Sequence, residues 1–233
     1  PEIDVVMASR GGYGLSRILH RIDFDEVKAS RKIIIGHSDF DIFHLANLAN
    51  GGVSFAGPMP TVDFYKSQNS AFTEKNFWGL FSANQYSIDH ITSQHDLAPQ
   101  TIEGVIWGGN LSVLVHLLGT KYFPQIENGI LFIEEINEEP YHIERMLLQL
   151  KHAGVLDKQK AVVFGQFNRC IPTQFSSQPY NIDDVMQYLR EIITCPMLTN
   201  LPFGHVENKM TIPVGAMAKL SIKSDISFSG YCE

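Results

Sequence analysis

Three residues carry the chemistry this chain could perform: a serine at a turn, a glutamate at the end of an apolar run and a histidine in a loop. Ser38 stands in Lys32-Ile33-Ile34-Ile35-Gly36-His37-Ser38-Asp39, where a β-branched run stops at a glycine. A helical pattern follows at once, with Ile42, Phe43, Leu45, Ala46, Leu48 and Ala49 recurring at spacings of three and four. Strand, tight turn and helix in that order set a serine hydroxyl beside the backbone N–H groups of a helix start. There it can act as a nucleophile, with partial positive charge at hand for an oxyanion. The same residues also suit a plain helix cap, since Ser and Asp are favoured there. The second glycine of the usual nucleophile elbow is replaced by Phe40.

A serine hydroxyl is a poor nucleophile until a base takes its proton, and the usual base is a histidine oriented by a carboxylate. Of nine histidines, His37 adjoins Ser38 on a strand-like turn and is expected to point elsewhere, and His44 lies on the following helix. His20, His142 and His152 sit in or beside expected helices among polar residues, where solvated surface is the default. His205 differs, standing in Pro202-Phe203-Gly204-His205-Val206-Glu207-Asn208, a loop between apolar segments of the kind that carries catalytic groups on a rigid scaffold. For the acid, Glu134 follows four apolar residues, Ile130-Leu131-Phe132-Ile133, and is tethered by the strand they predict; Glu135 is the alternative. The order Ser38, Glu134, His205 is one found among serine hydrolases.

The elements that must position these residues read as repeated strand, loop and helix units. Residues 3–8 form an apolar run that enters Ser9-Arg10-Gly11-Gly12-Tyr13-Gly14, and 15–19 suggest a helix. With 33–49 this gives the β-loop-α repeat of a parallel sheet, whose binding crevice lies at the carboxyl ends of the strands. Gly11 and Gly12 would lie on that edge with Ser38. Their spacing is not a dinucleotide or phosphate-loop fingerprint, so no nucleotide is implied.

From 54 to 103 periodicity weakens. Gly57-Pro58-Met59-Pro60 breaks the chain, and 66–101 is rich in Gln, Asn, Ser and Thr. A second apolar pattern begins at Gly104, where Val105-Ile106-Trp107-Gly108-Gly109-Asn110 leads into a helix over 111–118. Strands are expected at 130–133, 161–165, 211–214, 218–222 and 226–228, with helices at 141–150 and 182–193. The implied organisation is a nucleophile-bearing lobe over 1–68, a connector over 69–103 with few short elements, and a lobe over 104–233 carrying acid and base.

Composition narrows the chemistry further. A chain of 233 residues with 44% hydrophobic and 11% aromatic content can bury a full core. A net charge of −7 without basic runs argues against a nucleic-acid partner. Cys170, Cys195 and Cys232 are too few and scattered for a disulfide framework or a thiolate metal site, so no metal and no cofactor is expected. No apolar stretch approaches the roughly 18 residues that span a bilayer.

Five segments, Arg10-Gly11-Gly12-Tyr13-Gly14, Ile35-Gly36-His37-Ser38-Asp39, Gly108-Gly109-Asn110-Leu111, Leu131-Phe132-Ile133-Glu134-Glu135, and Gly204-His205 followed by Pro213-Val214-Gly215, occur in that order. Together they resemble the muropeptide LD-carboxypeptidases, which share a fold with the microcin C immunity peptidases. The resemblance implies an α/β fold: an N-terminal parallel-sheet, Rossmann-like (flavodoxin-like) lobe and a C-terminal α/β lobe with a swivelling-domain-like or barrel-like sheet. Relatives carry a further strand and helix portion ahead of the glycine loop, so the first lobe is expected to lack its first strands.

It also implies a triad of Ser38, Glu134 and His205, with an oxyanion hole from the backbone N–H groups of Gly11 or Gly12 and of Asp39. The substrate would be a murein tetrapeptide cut between a diamino acid, meso-diaminopimelate or Lys, and terminal D-Ala. Arg10 is the candidate for its carboxylate, with Trp107 and Asn110 lining the groove. A homodimer that works in the cytoplasm in murein recycling is implied too, or in the periplasm if an export signal precedes the chain. The rival readings are an amidase of peptidyl or aminoacyl nucleotides with Trp78, Trp107 or the aromatics near Phe77 as a base platform, and a non-catalytic peptide-binding protein.

Overall fold

The computed structural model describes residues 2–65, 69–83, 85–92, 97–172, 180–222 and 226–231; Cys232 lies outside them. Its strands are β1 (Val5–Met7), β2 (Ile33–Gly36), β3 (Ser54–Ala56), β4 (Gln85–Ile91), β5 (Gln100–Asn110), β6 (Ile130–Ile136), β7 (Ala161–Asn168), β8 (Met197–Leu198), β9 (Ile212–Val214), β10 (Met217–Ile222) and β11 (Ile226–Tyr231). The α-helices are α1 (Leu15–Ile18), α2 (Phe24–Ser30), α3 (Asp41–Ala49), α4 (Pro60–Asp63), α5 (Ala71–Ala83), α6 (Leu111–Leu117), α7 (Pro140–His152) and α8 (Ile182–Ile192).

These strands form two mixed sheets, as an α/β fold requires. The first has the order β1-β2-β3-β9, parallel across β1, β2 and β3, with β9 antiparallel to β3. The second has the order β4-β11-β10-β5-β6-β7-β8, antiparallel from β4 to β5 and parallel from β5 to β8. Parallel strands are covered on both faces and read as continuous apolar runs. Ile130, Leu131, Phe132 and Ile133 of β6 are accordingly fully buried.

Helices cover this core through apolar stripes. On α7 the residues Ile143, Leu147 and Leu150 fall on one buried face at helical spacing. On α8 Val185, Met186 and Leu189 do the same, behind a capping box in which Asn181 accepts from the Asp184 backbone and the Asp184 side chain accepts from the Asn181 backbone. Among the described residues no helix is long and apolar enough to cross a membrane.

Two features depart from the pattern read in the sequence. The segment expected to be a connector carries the 13-residue helix α5 and the strand β4. Its inward face, Thr73, Phe77 and Leu80, is interrupted by polar residues, and this hides the helical period. Trp107 lines no cavity with Ser38, Glu134 or His205: it is 1% exposed, its Nε1 donates to Gln159 Oε1 at 2.9 Å, its ring meets Phe123 edge-on, and the pocket it borders is shared with Leu118, Phe123 and Val155. A tryptophan on a strand buried on both sides finds its polar partner inside the core.

The shortest of the chain's passages between the sheets runs from β9 to β10. β9 completes the first sheet and β10 lies in the second, and the turn between them is held against β5 by Gly215 N–H to Ile106 O (2.8 Å) and Ile106 N–H to Ala216 O (2.9 Å). In the adjoining core the Phe132 ring stands edge-on to Phe203, with centroids 5.2 Å apart, and Phe203 leads directly into the loop of His205. Phe132→Ala is therefore expected to lower unfolding stability by about 3–5 kcal/mol, read as a reduced urea midpoint at unchanged m-value.

Candidate active site

β2 ends at Gly36, and the chain turns through His37 and a short 3-10 turn, Ser38–Phe40, into α3. Ser38 has φ 65°, in the left-handed region that a residue with a side chain occupies at some cost. Its side chain caps neither the turn nor α3, so the helix-cap reading fails on geometry. Instead Ser38 Oγ lies 3.0 Å from His205 Nε2, and His205 Nδ1 lies 2.9 Å from Glu134 Oε2. Because Nδ1 faces a carboxylate oxygen it carries the proton and donates it. Nε2 then presents a lone pair, and the serine hydroxyl donates to it.

Close approach at two glycines permits this line. A Cβ on Gly11 would sit 2.8 Å from the Ser38 Cβ and 3.0 Å from its Oγ, so the glycine loop lies directly against the serine. Gly204 has φ 128°, and a Cβ there would meet Glu134 Oε2 at 3.0 Å. Gly12 has φ 134° and lies under the Arg10 guanidinium, which folds back over it. Gly12 and Asp39 donate no backbone hydrogen bond outside helices and strands among the described residues.

Glu134 and Glu135 are both buried at the end of β6, but only Glu134 meets the histidine. Glu135 accepts from Ile136 N–H and Asn110 Nδ2 at Oε1 and from Ser112 N–H at Oε2. Burial raises its pKa against these donors. Asn110 does not reach a groove. Its Nδ2 donates to Glu134 Oε1 (3.0 Å) and Glu135 Oε1 (2.9 Å), and its Oδ1 accepts from Ser112 Oγ and Val113 N–H. With every polar atom engaged, it brackets the two carboxylates and starts α6.

Residues 1–57 match the LD-carboxypeptidase N-terminal domain, and residues 103–220 match the LD-carboxypeptidase C-terminal domain. The chain belongs to the LD-carboxypeptidase family. It is 32% identical over 222 residues to a probable murein peptide carboxypeptidase of Bacillus subtilis (strain 168), covering 94% of this chain and 69% of that one. It is 29% identical over 258 residues to the microcin C7 self-immunity protein MccF of Escherichia coli, covering 97% and 72%. The crystal structure of muramoyltetrapeptide carboxypeptidase from Oxalobacter formigenes superposes with a TM-score of 0.92 at 41% identity, over 100% of this chain and 80% of that one. Membership supports peptidase activity, and the matched residues include all four strands of the first sheet and the parallel strands β6, β7 and β8 of the second.

Two residues around this family site escaped the sequence reading. Asp41 is fully buried on the first turn of α3, and its Oδ2 accepts from Asn110 N–H at 2.8 Å. Burial, with Glu134 nearby, raises its pKa well above the usual value. Lys209 is 1% exposed; its Nζ donates to Asp63 Oδ1 at 2.8 Å and to His37 Nε2. Burial lowers its pKa while Asp63 holds it up. His37 is itself held well below 6.5, first by burial and then by the Lys209 charge. An acid inside an otherwise apolar helical turn and a lysine just ahead of an apolar strand were the available signals.

His44 is the clearest pH reporter in the neighbourhood. It is fully buried, its Nε2 donates to Gly36 O at 2.9 Å and its Nδ1 accepts from Ser54 Oγ at 2.8 Å, so the neutral ring is satisfied. Burial lowers its pKa to about 4. A histidine depressed in the folded state binds fewer protons than the unfolded chain below pH 6.5. Its contribution is therefore lost as pH falls from about 6.5 towards 4, a change of about 3 kcal/mol at most. The His44 imidazole resonances are expected to stay in the neutral position down to about pH 5, with urea stability falling over the same window. Titration near 6.5 would refute this.

Proposed function

We propose that this chain is a serine carboxypeptidase that hydrolyses the L,D bond between a diamino acid and the terminal D-alanine of murein tetrapeptides. The observation that carries the reading is the line from Ser38 Oγ to His205 Nε2 to Glu134 Oε2, with hydrogen bonds of 3.0 and 2.9 Å. The substrate class is supported by the family and by relatives named as murein peptide and muramoyltetrapeptide carboxypeptidases.

In this reading His205 Nε2 takes the Ser38 proton as Oγ attacks the scissile carbonyl carbon. The negative oxygen is received by backbone N–H groups of the glycine loop, Gly11 or Gly12, and of Asp39. Loss of one such donor typically costs about 3 kcal/mol of transition-state stabilisation. The tetrahedral adduct collapses as the imidazolium returns the proton to the leaving amine, releasing D-alanine and leaving an acyl group on Ser38. A water that gives its proton to His205 then cleaves the ester. Glu134 keeps the ring in the tautomer that makes Nε2 basic and stabilises its cation. Action as a homodimer in murein recycling belongs to the same reading.

An amidase of aminoacyl nucleotides, the rival, would need an aromatic platform for the base. The burial of Trp107 removes one of its two tryptophans and leaves Trp78, exposed on α5. Incubation with the tetrapeptide L-Ala-γ-D-Glu-meso-diaminopimelate-D-Ala is expected to release free D-alanine. Ser38→Ala should abolish the release, and Glu134→Gln should lower kcat by about 10³–10⁴. No release by the unaltered protein, or release that survives Ser38→Ala, would overturn the proposal. Cleavage of an aminoacyl nucleotide in place of the tetrapeptide would transfer the triad to the rival.

A further inference from the structure

A cavity of about 270 Å³ opens against His205. Its charged and titratable lining comprises His37, Asp63, Arg169, His205, Glu207 and Lys209. The glycine loop contributes nothing to this lining; Gly11 lies against Ser38 itself. If the reaction is the one proposed above, on which this inference rests, the imidazole must protonate the departing amine. The residue that leaves therefore sits against His205 and away from the oxyanion donors, on the side where this cavity opens.

The leaving residue of a carboxypeptidase carries a free α-carboxylate, which needs a cation. Lys209 cannot supply it, because its buried Nζ is committed to Asp63 Oδ1 and to His37 Nε2. Asp63 in turn is neutralised by Lys209 and accepts from Met59 N–H at its other oxygen. Arg169 remains. It follows β7 directly, at the carboxyl edge of the parallel strands, is exposed at the cavity, and makes no ion pair among the described residues. Its φ of 55° holds an arginine in the left-handed region, where glycine or asparagine would be less strained. Arg10, the other candidate, folds over Gly12 on the glycine-loop side, where the acyl portion of a substrate would lie.

We propose that the cavity beside His205 receives the D-amino acid released by the reaction, and that Arg169 pairs with its free carboxylate. A planar guanidinium can grip a carboxylate through two parallel hydrogen bonds. Such an anchor explains how an endopeptidase-like triad would act only at a chain terminus.

The test compares the tetrapeptide with the same peptide carrying a C-terminal carboxamide. The unaltered protein is expected to favour the free acid by about a hundredfold in kcat/KM. Arg169→Ala should remove most of that preference by slowing the acid about a hundredfold and the amide far less, with an unchanged urea midpoint reporting an intact fold. Arg169→Lys should restore part of the preference. If the unaltered protein cleaves the acid form and Arg169→Ala keeps the full preference, the anchor lies elsewhere and only this inference falls. Loss of that preference in Arg10→Ala, with Arg169→Ala unaffected, would assign the anchor to the glycine loop. If the unaltered protein cleaves neither peptide, the proposed function falls and this inference with it.

Discussion

Glu134 is a carboxylate with 1% of its surface exposed, and a buried charge is tolerated only where donors surround it. Two meet it: His205 Nδ1 at one oxygen and Asn110 Nδ2 at the other. Each donor is tied in turn to the serine. Asn110 donates its backbone N–H to Asp41, on the first turn of the helix that Ser38 opens, and His205 accepts from Ser38 itself. The result is a closed circuit, Ser38 to Asp41 along the chain, then Asn110, Glu134, His205 and back to Ser38. Removing any member leaves a buried polar group unpaired, so the circuit holds the three chain segments to one geometry. The fold need not place Glu134, His205 and Ser38 independently.

A second buried set lies on the other side of the elbow. Lys209, Asp63 and His37 bind the His205 loop to α4 and to the residue before Ser38. The His37 ring is 5.2 Å from the His205 ring, so a charge on His37 would act directly on His205. The Lys209 ammonium occupies His37 Nε2, and burial next to that charge keeps His37 from taking up a proton. This leaves a single imidazole lone pair facing Ser38 Oγ. A buried ion pair adds little net stability against an apolar substitute, but it fixes geometry and charge at one spot.

The sequence made the reactive groups legible because each sits where a local pattern changes: Ser38 where a β-branched run meets a glycine, Glu134 after four apolar residues, His205 after a proline and glycine. It did not reveal what brings them together. Asp41 and Asn110 are 69 positions apart, Lys209 and His37 are 172 apart, and no local period reports such a contact. Asn110 followed a glycine pair of the kind that lines ligand loops, yet its amide is spent on carboxylates. Trp107, an aromatic beside the same glycines, points into the core. Residue type and spacing at these positions suggested a role; the direction of each side chain depended on the face of a strand buried on both sides.

The segment that looked least structured proves to hold the His205 loop. Thr73 of α5 donates its hydroxyl to Glu207 O and accepts from Lys209 N–H, so this helix clasps the His205 loop from outside. From inside, Gln166 N–H donates to Phe203 O and Leu201 N–H to Phe164 O, fastening the loop to β7. The loop begins just after β8, in the second sheet, and ends at β9, in the first. His205 thus stands on a stretch of chain that answers to both sheets, while Ser38 belongs to one and Glu134 to the other. A small shift between sheets would appear first as a longer Ser38–His205 contact. Misplacement of a reacting group by about 1 Å can cost about a hundredfold in rate. The packing of Phe132 on Phe203, the Gly215 turn against β5 and the clasp of α5 therefore set the Ser38–His205 distance, and in the proposed reaction they would act through position alone, at a distance from the reacting atoms.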